Sequence, residues 1–157
     1  MRVGVVSDTH GDAHAIKRVT RQLKGVQYLC HAGDHWKDGF QITSRLSVPG
    51  IAVRGNCDRW TDVPEEMLQD FLGITVLITH GHAYSVKRGY ERIVQRAKEV
   101  GATLVVFGHT HVACKLEIEG VTLFNPGSPE SPRGGTPPSC GIIQFERGAF
   151  SLQLVEL

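Results

Sequence analysis

The chain has 157 residues and 17 Lys plus Arg against 16 Asp plus Glu, for a formal charge of +1. Its length fits a single domain, residues 1–157, burying about two-thirds of its unfolded surface without a disulfide or structural metal. The even charge excludes a broad electrostatic footprint for duplex nucleic acid or an anionic membrane, but a small anionic substrate needs only a local field.

The apolar run at the N-terminus meets Ser7-Asp8 too early for a signal-peptide core, and no later run approaches a membrane span. Cys30, Cys57, Cys114 and Cys140 lie far apart and form no C-x-x-C pair, so reduced thiols in a cytoplasmic protein are expected. Neither the phosphate loop of nucleotide-binding enzymes nor the zinc-deaminase signature is present.

In chain order, Val3 to Val6 reads as a strand buried on both faces. It ends at Ser7-Asp8-Thr9-His10-Gly11. From Asp12, a candidate N-cap, Ala15, Ile16, Val19 and Leu23 recur at helical spacing, with Gly25 as the stop. Val26 to Ala32 predicts a second strand leading into Gly33-Asp34-His35, and a helix is expected over about 38–46. Ile51 to Val53 is a third strand delivering Gly55-Asn56-Cys57-Asp58, and the β-α-β-α-β order argues for parallel pairing.

Met67 to Phe71 and Ile74 to Thr79 flank Leu72-Gly73 as a hairpin ending at His80-Gly81-His82. Val86, Tyr90, Ile93, Val94, Ala97 and Val100 predict an amphipathic helix with Ser85 as N-cap and Gly101 as its end. Leu104 to Phe107 is a strand followed by Gly108-His109-Thr110-His111; in extended backbone both imidazoles would face one cavity. Two hairpins close the chain, 113–118 with 121–124 and 141–146 with 150–155. The Pro- and Gly-rich segment 125–138 between them is read as a functional loop or else a mobile one.

Five strand ends thus deliver potential ligands: Asp8 with His10, Asp34, Asn56, His80, and His109 with His111. In α/β sheets such ends converge on one crevice. Seven groups are too many for one tetrahedral ion, and they suit two ions sharing Asp34. The nitrogen and oxygen donors accommodate Mn, Fe, Co, Ni or Zn.

The series Asp8-x-His10, Gly33-Asp34, Gly55-Asn56-x-Asp58, His80 and Gly108-His109-x-His111 resembles the calcineurin-like metallophosphoesterases. Gly-Asn-Cys-Asp, His-Gly-His and Asn125-Pro126-Gly127-Ser128 are most similar to its small YfcE-type phosphodiesterases. The resemblance implies an α/β fold of two mixed β-sheets packed as a sandwich with flanking helices, four layers in the order αββα. It implies two divalent ions, manganese first among them, one held by Asp8, His10, Asp34 and His111, the other by Asp34, Asn56, His80 and His109. The implied activity is hydrolysis of small phosphodiesters by a hydroxide bridging the ions.

Many relatives carry His where this chain has Cys57, and a thiol is a poorer proton donor to a leaving alkoxide. The chain is therefore expected to handle leaving groups that need little protonation, or to borrow His35, His82 or His14. Cys57 itself reads as a partner of a ligand or a simply packed thiol, and Asp58 as a turn residue or a partner of a ligand. Arg133 is a candidate phosphate clamp, Asn125 and Ser128 candidate loop supports, and His31 a structural residue. The rival functions are a phosphomonoesterase or nuclease of the same fold, and a non-enzymatic interaction module resembling the retromer subunit. Membrane contact and stable nucleic-acid binding are not expected, and a homo-oligomer stays open.

Overall fold

A computed structural model describes all residues, 1–157. The order is β1 (Arg2–Val6), α1 (Ala13–Gln22), β2 (Tyr28–His31), α2 (Trp36–Leu46), β3 (Gly50–Ala52), β4 (Glu66–Phe71) and β5 (Ile74–Thr79). A short 3-10 turn at His82–Tyr84 follows, then α3 (Glu91–Glu99), β6 (Leu104–Val106), β7 (Cys114–Ile118), β8 (Val121–Asn125), β9 (Ser139–Glu146) and β10 (Ala149–Glu156).

The strands form two five-stranded sheets, β10-β9-β1-β2-β3 and β4-β5-β6-β8-β7. In the first, β1, β2 and β3 run parallel and β9 pairs antiparallel with β1. In the second, β5, β6 and β8 are parallel, flanked by antiparallel β4 and β7. Both sheets are mixed, as the expected sandwich requires.

Side-chain alternation explains why so many strands are continuous apolar runs. Val3, Val5, Val76, Ile78, Leu104 and Val106 fill the space between the sheets, together with Phe124 and Phe145. Their neighbours point outward: Leu77, Val105 and Phe107 pack under Ile93, Val94 and Ala97 of α3, while Val6 and Leu29 pack under Ile16, Val19 and Ile42 of α1 and α2. Four layers result, helix, sheet, sheet, helix, and the parallel strand ends open along one rim.

Asp12 caps α1 as expected, its Oδ1 accepting from the Ala15 amide at 2.6 Å. The helix expected from Ser85 is different: α3 begins only at Glu91, and Ser85 is left-handed at φ 56°. Val86 is buried with α3, so its apolar spacing marks a packed turn rather than a helical one, and Gly89 adds no helix propensity before Tyr90.

Candidate metal centre

The first sheet presents Asp8 and His10 after β1, Asp34 after β2 and Asn56 after β3. The second presents His80 after β5 and His109 and His111 after β6. One ligand atom from each of Asp8, His10, Asp34 and His111 lies within 4.8 Å of all the others. His10 Nε2 is 3.3 Å from His111 Nε2, which is 3.2 Å from Asp8 Oδ1. His80 Nε2 lies 3.4 Å from Asp34 Oδ1 and 3.9 Å from Asp8 Oδ1, and the His80 and His109 rings are 5.1 Å apart. Asn56 is exposed beside them on the wall of a cavity of about 320 Å³.

His109 and His111 do not reach the site by strand alternation. β6 stops at Val106, and both residues are left-handed, at φ 67° and 60°, so the expected extended geometry is replaced by a kinked loop that sends the rings apart. His111 turns toward His10 and His109 toward His80 and His82. Asp8, His10 and Asp34 are left-handed as well. Non-glycine residues in that region carry strain that only the surroundings can hold, and such strain concentrates at functional sites.

Hydrogen bonds fix how the imidazoles face. His80 Nδ1 donates to Ala32 O and His111 Nδ1 to Ser131 O, each at 2.7 Å. A carbonyl only accepts, so in the neutral rings both Nε2 lone pairs point into the site. Asp8 Oδ1 and His80 Nε2 are buried there without a hydrogen-bond partner. Two bare acceptors facing each other in a buried site are costly unless a cation lies between them. The donor set and these orphaned atoms fit a divalent metal.

Electrostatics agree. Burial alone would raise the pKa of Asp8, yet the neighbouring His111 imidazole and the field of His80 keep it below the usual carboxylate value. Burial opposes ionisation of Asp34 too, but His80 and the Cys57 amide hold it far below the ordinary range. The two carboxylates in turn raise His80 against its burial, and Asp8 raises His111. Burial and the neighbouring His80 push His109 down to about 4. The pocket thus favours positive charge between the carboxylates.

Backbone clearance is tight. A Cβ on Gly55 would fall 2.1 Å from Asp34 Oδ1, and one on Gly108 would fall 1.8 Å from Ser7 Oγ and 2.7 Å from Asp8 Oδ2. Asp58 braces its own turn and touches none of the ligand side chains. Its Oδ2 accepts from Gly55 N at 2.8 Å, and its Oδ1 from His35 N at 2.8 Å, tying the Asn56 turn to the start of α2. Cys57 is exposed rather than packed; its amide donates to Asp34 Oδ1 at 2.9 Å, while partial desolvation and the Asp34 carboxylate push its thiol up to about 11.

His35 stands edge-on to His10 at 5.7 Å, and His82 lies 3.7 Å from Glu65 and packs near His80 and His109. Arg133 lines the cavity, and its amide donates to His111 O. His14 sits on the exposed face of α1 and is not among the cavity's lining residues. The loop from Asn125 is firmly held: Asn125 Nδ2 donates to Gly108 O and Ser128 Oγ to Asp8 O.

Three features had no sequence signal strong enough to find them. Lys87 and Glu130 line the cavity. Ser131 acts through its carbonyl, which any residue carries. Asp38 Oδ2 accepts from Thr9 Oγ1 at 2.7 Å and from Gly11 N at 2.9 Å, and Thr9 Oγ1 also lies 3.0 Å from His31 Nε2, so a buried network supports the Asp8–His10 loop.

The profile of the calcineurin-like phosphoesterase superfamily domain matches residues 1–148. The chain belongs to that superfamily. It is 29% identical to the probable metallophosphoesterase YsnB of Bacillus subtilis over 157 residues, covering 99% of this chain and 91% of that one. It is 30% identical to phosphodiesterase YfcE of Escherichia coli, covering 91% of this chain and 87% of the other.

Among solved structures, a predicted phosphoesterase from Streptococcus pneumoniae superposes with a TM-score of 0.81 at 23% identity, covering 99% of this chain and 88% of that one. Vps29 of Entamoeba histolytica also reaches 0.81, at 21% identity, covering 100% and 99%. At those identities the likeness concerns the fold alone. The superfamily member described here keeps a buried Asp/His cluster suited to metal. No helix is long and apolar enough to cross a membrane.

Proposed function

We propose that this chain is a metal-dependent phosphodiesterase acting on small phosphodiesters at a dinuclear site. The observation that carries the reading is the buried, partnerless pair Asp8 Oδ1 and His80 Nε2 inside a ring of further donors. Asp8, His10, Asp34 and His111 would hold one ion, and Asp34, Asn56, His80 and His109 the other. Manganese is the first choice, and Fe, Co, Ni or Zn fit the same donors. Bound divalent ions would supply a low-pKa water as nucleophile and neutralise charge on the phosphoryl oxygens.

The protein's own groups do the rest. Ala32 O and Ser131 O orient His80 and His111, and Cys57 N orients Asp34. Lys87 and Arg133, at the cavity wall, are placed to attract and orient an anionic ester. Two divalent ions against Asp8, Asp34 and a hydroxide leave roughly +1, which matches a diester monoanion. Similarity to YfcE, a phosphodiesterase by name, points the same way.

Leaving-group protonation is the weak point of the machinery. The Cys57 thiol, up at about 11, is a poor acid at neutral pH, and both Asp58 oxygens are committed to backbone amides. The enzyme is therefore suited to esters whose leaving groups depart with little protonation.

The alternative reading is an interaction module without turnover; the fold shared with Vps29 does not by itself separate it from an enzyme. The complete Asp/His set favours the enzyme. The test is one preparation, stripped by chelator and reloaded with individual metals, assayed on monoesters, aryl and alkyl diesters, cyclic nucleotides and single-stranded DNA. Metal-restored turnover of diesters above all others is expected. Loss of both metal binding and turnover would overturn the proposal.

A further inference from the structure

Helices α1 and α2 carry a second concentration of charge that the metal centre does not use. Lys17, Thr20, Arg21 and Lys24 follow at i, i+3, i+4 and i+7, forming one stripe along α1 and just past its end. With Arg18, and with Arg45 from the last turn of α2, they line a cavity of about 330 Å³. Five of its six lining residues are cations, and none is acidic, aliphatic or aromatic.

Every Lys or Arg ion pair of the fold lies elsewhere: Arg54 with Glu65, Arg96 with Glu66 and Glu99, Lys98 with Glu119. No carboxylate pairs with a cation of the groove. Like charges at i, i+3 and i+4 repel and weaken a helix, so the stripe is not a device for stability. The C-terminal dipoles of α1 and α2 account for part of it. At about half a charge each, they offset roughly one of the five cations. The chain as a whole carries only +1, so this is a local excess rather than a basic protein.

Arg18 joins the groove to the metal centre. Its guanidinium donates to Pro129 O at 2.6 Å, while its Nε is buried with no partner. Pro129 lies inside the turn that Ser128 Oγ organises by accepting from the Ser131 amide, and Ser131 O takes the His111 ring proton. Through Arg18 the groove is thus tied to the short turn that supports the His111 ring.

We propose that this groove binds a small anion carrying two or more phosphate groups. The volume lies at the lower end of the range for small-molecule sites. The lining side chains are alkyl stems ending in cationic heads, with one hydroxyl, so recognition rests chiefly on charge and hydrogen bonds, which fits a phosphate chain. An occupant that engages Arg18 competes with Pro129 O, so binding is felt at the His111 support.

The test is an amide NMR titration of the full-length, metal-stripped protein with inorganic tripolyphosphate at fixed ionic strength. Saturable shifts are expected at residues 17–24, 45–47 and 128–131. The double variant Arg21→Gln, Lys24→Gln should keep the native spectrum and bind about tenfold more weakly or worse, whereas His111→Ala should leave binding at residues 17–24 in place. Several results would overturn the proposal. These are shifts that never saturate, shifts matched by sulfate, and shifts confined to residues 8–11, 33–35 and 109–111. Single-stranded oligonucleotide binding more than about tenfold tighter than tripolyphosphate would replace it with a nucleic-acid contact.

Discussion

Thr9 Oγ1 donates to Asp38 Oδ2 at 2.7 Å, and through this bond α2 holds the loop that presents Asp8 and His10. Asp38 Oδ2 also accepts the Gly11 amide, so one carboxylate oxygen fixes the loop on both sides of His10. Asp38→Ala would remove the acceptor of the buried Thr9 hydroxyl and of the part-buried Gly11 amide. A loss of about 2–4 kcal/mol in urea unfolding is expected, with a 10–100-fold fall in metal affinity by titration. Asp38→Asn, which keeps an acceptor, should recover most of the stability.

His31 gives the fold an acid-sensitive joint. Its Nδ1 accepts from Gly33 N and its Nε2 contacts Thr9, and burial pushes its pKa from 6.5 down to about 4. The folded state therefore binds fewer protons than the unfolded state between those values. Its contribution is complete above pH 6.5 and is lost as pH falls toward 4, by up to about 3 kcal/mol. Urea midpoints measured across that window should fall in the wild type and fall less in His31→Gln.

The divergence of the two histidines after β6 predicts separate losses. His111→Ala should empty the position beside Asp8 and His10, and His109→Ala the one beside His80. Anomalous scattering from metal-soaked crystals of each variant would show it; loss of the same ion in both would defeat the assignment. Turnover should drop by more than about 100-fold in either, beyond what residues that only support a ligand cause.

Gly55 offers a sharper steric test than any ligand change. Gly55→Ala places a methyl group 2.1 Å from Asp34 Oδ1, so the carboxylate or the turn must move. Destabilisation of about 1–3 kcal/mol and weakened metal binding are expected, seen by thermal melting with and without metal.

Cys57 predicts a leaving-group dependence. Diesters with aryl leaving groups should turn over far faster than alkyl diesters, and Cys57→His should narrow the gap by about tenfold or more by supplying a competent acid. An unchanged slope of log kcat/KM against leaving-group pKa, with chemistry rate-limiting, would remove position 57 from proton transfer.

Much of this architecture could be read from the chain because the central strands are buried on both faces. Val3–Val6, Ile74–Thr79 and Leu104–Phe107 stand out as apolar runs, and each ends on a ligand-type residue. Asp12 was visible as a cap for the same local reason. What escaped depends on contacts distant in sequence. Ser85 has the chemistry of a helix cap, but tertiary packing of Val86 bends that segment into a turn. The left-handed backbone at His109 and His111 is held by Asp8, 101 residues from His109, and by Asn125, 17 and 15 residues from the Gly108 and Thr110 it bonds, and no local pattern announces it. Lys87 and Ser131 enter the site only because the loops fold over the rim.

The donors divide by sheet: Asp8, His10, Asp34 and Asn56 on one, His80, His109 and His111 on the other. Both carboxylates belong to the first sheet. A cation held between them and the imidazoles therefore works as a rivet through the sandwich at the rim where the strands end. Loading it would tie the two layers together at that rim, beyond the apolar seam of Val5, Ile78 and Val106. Catalytic competence and mechanical rigidity would then rise and fall together, and hydrogen exchange at β2 and β5 would report both.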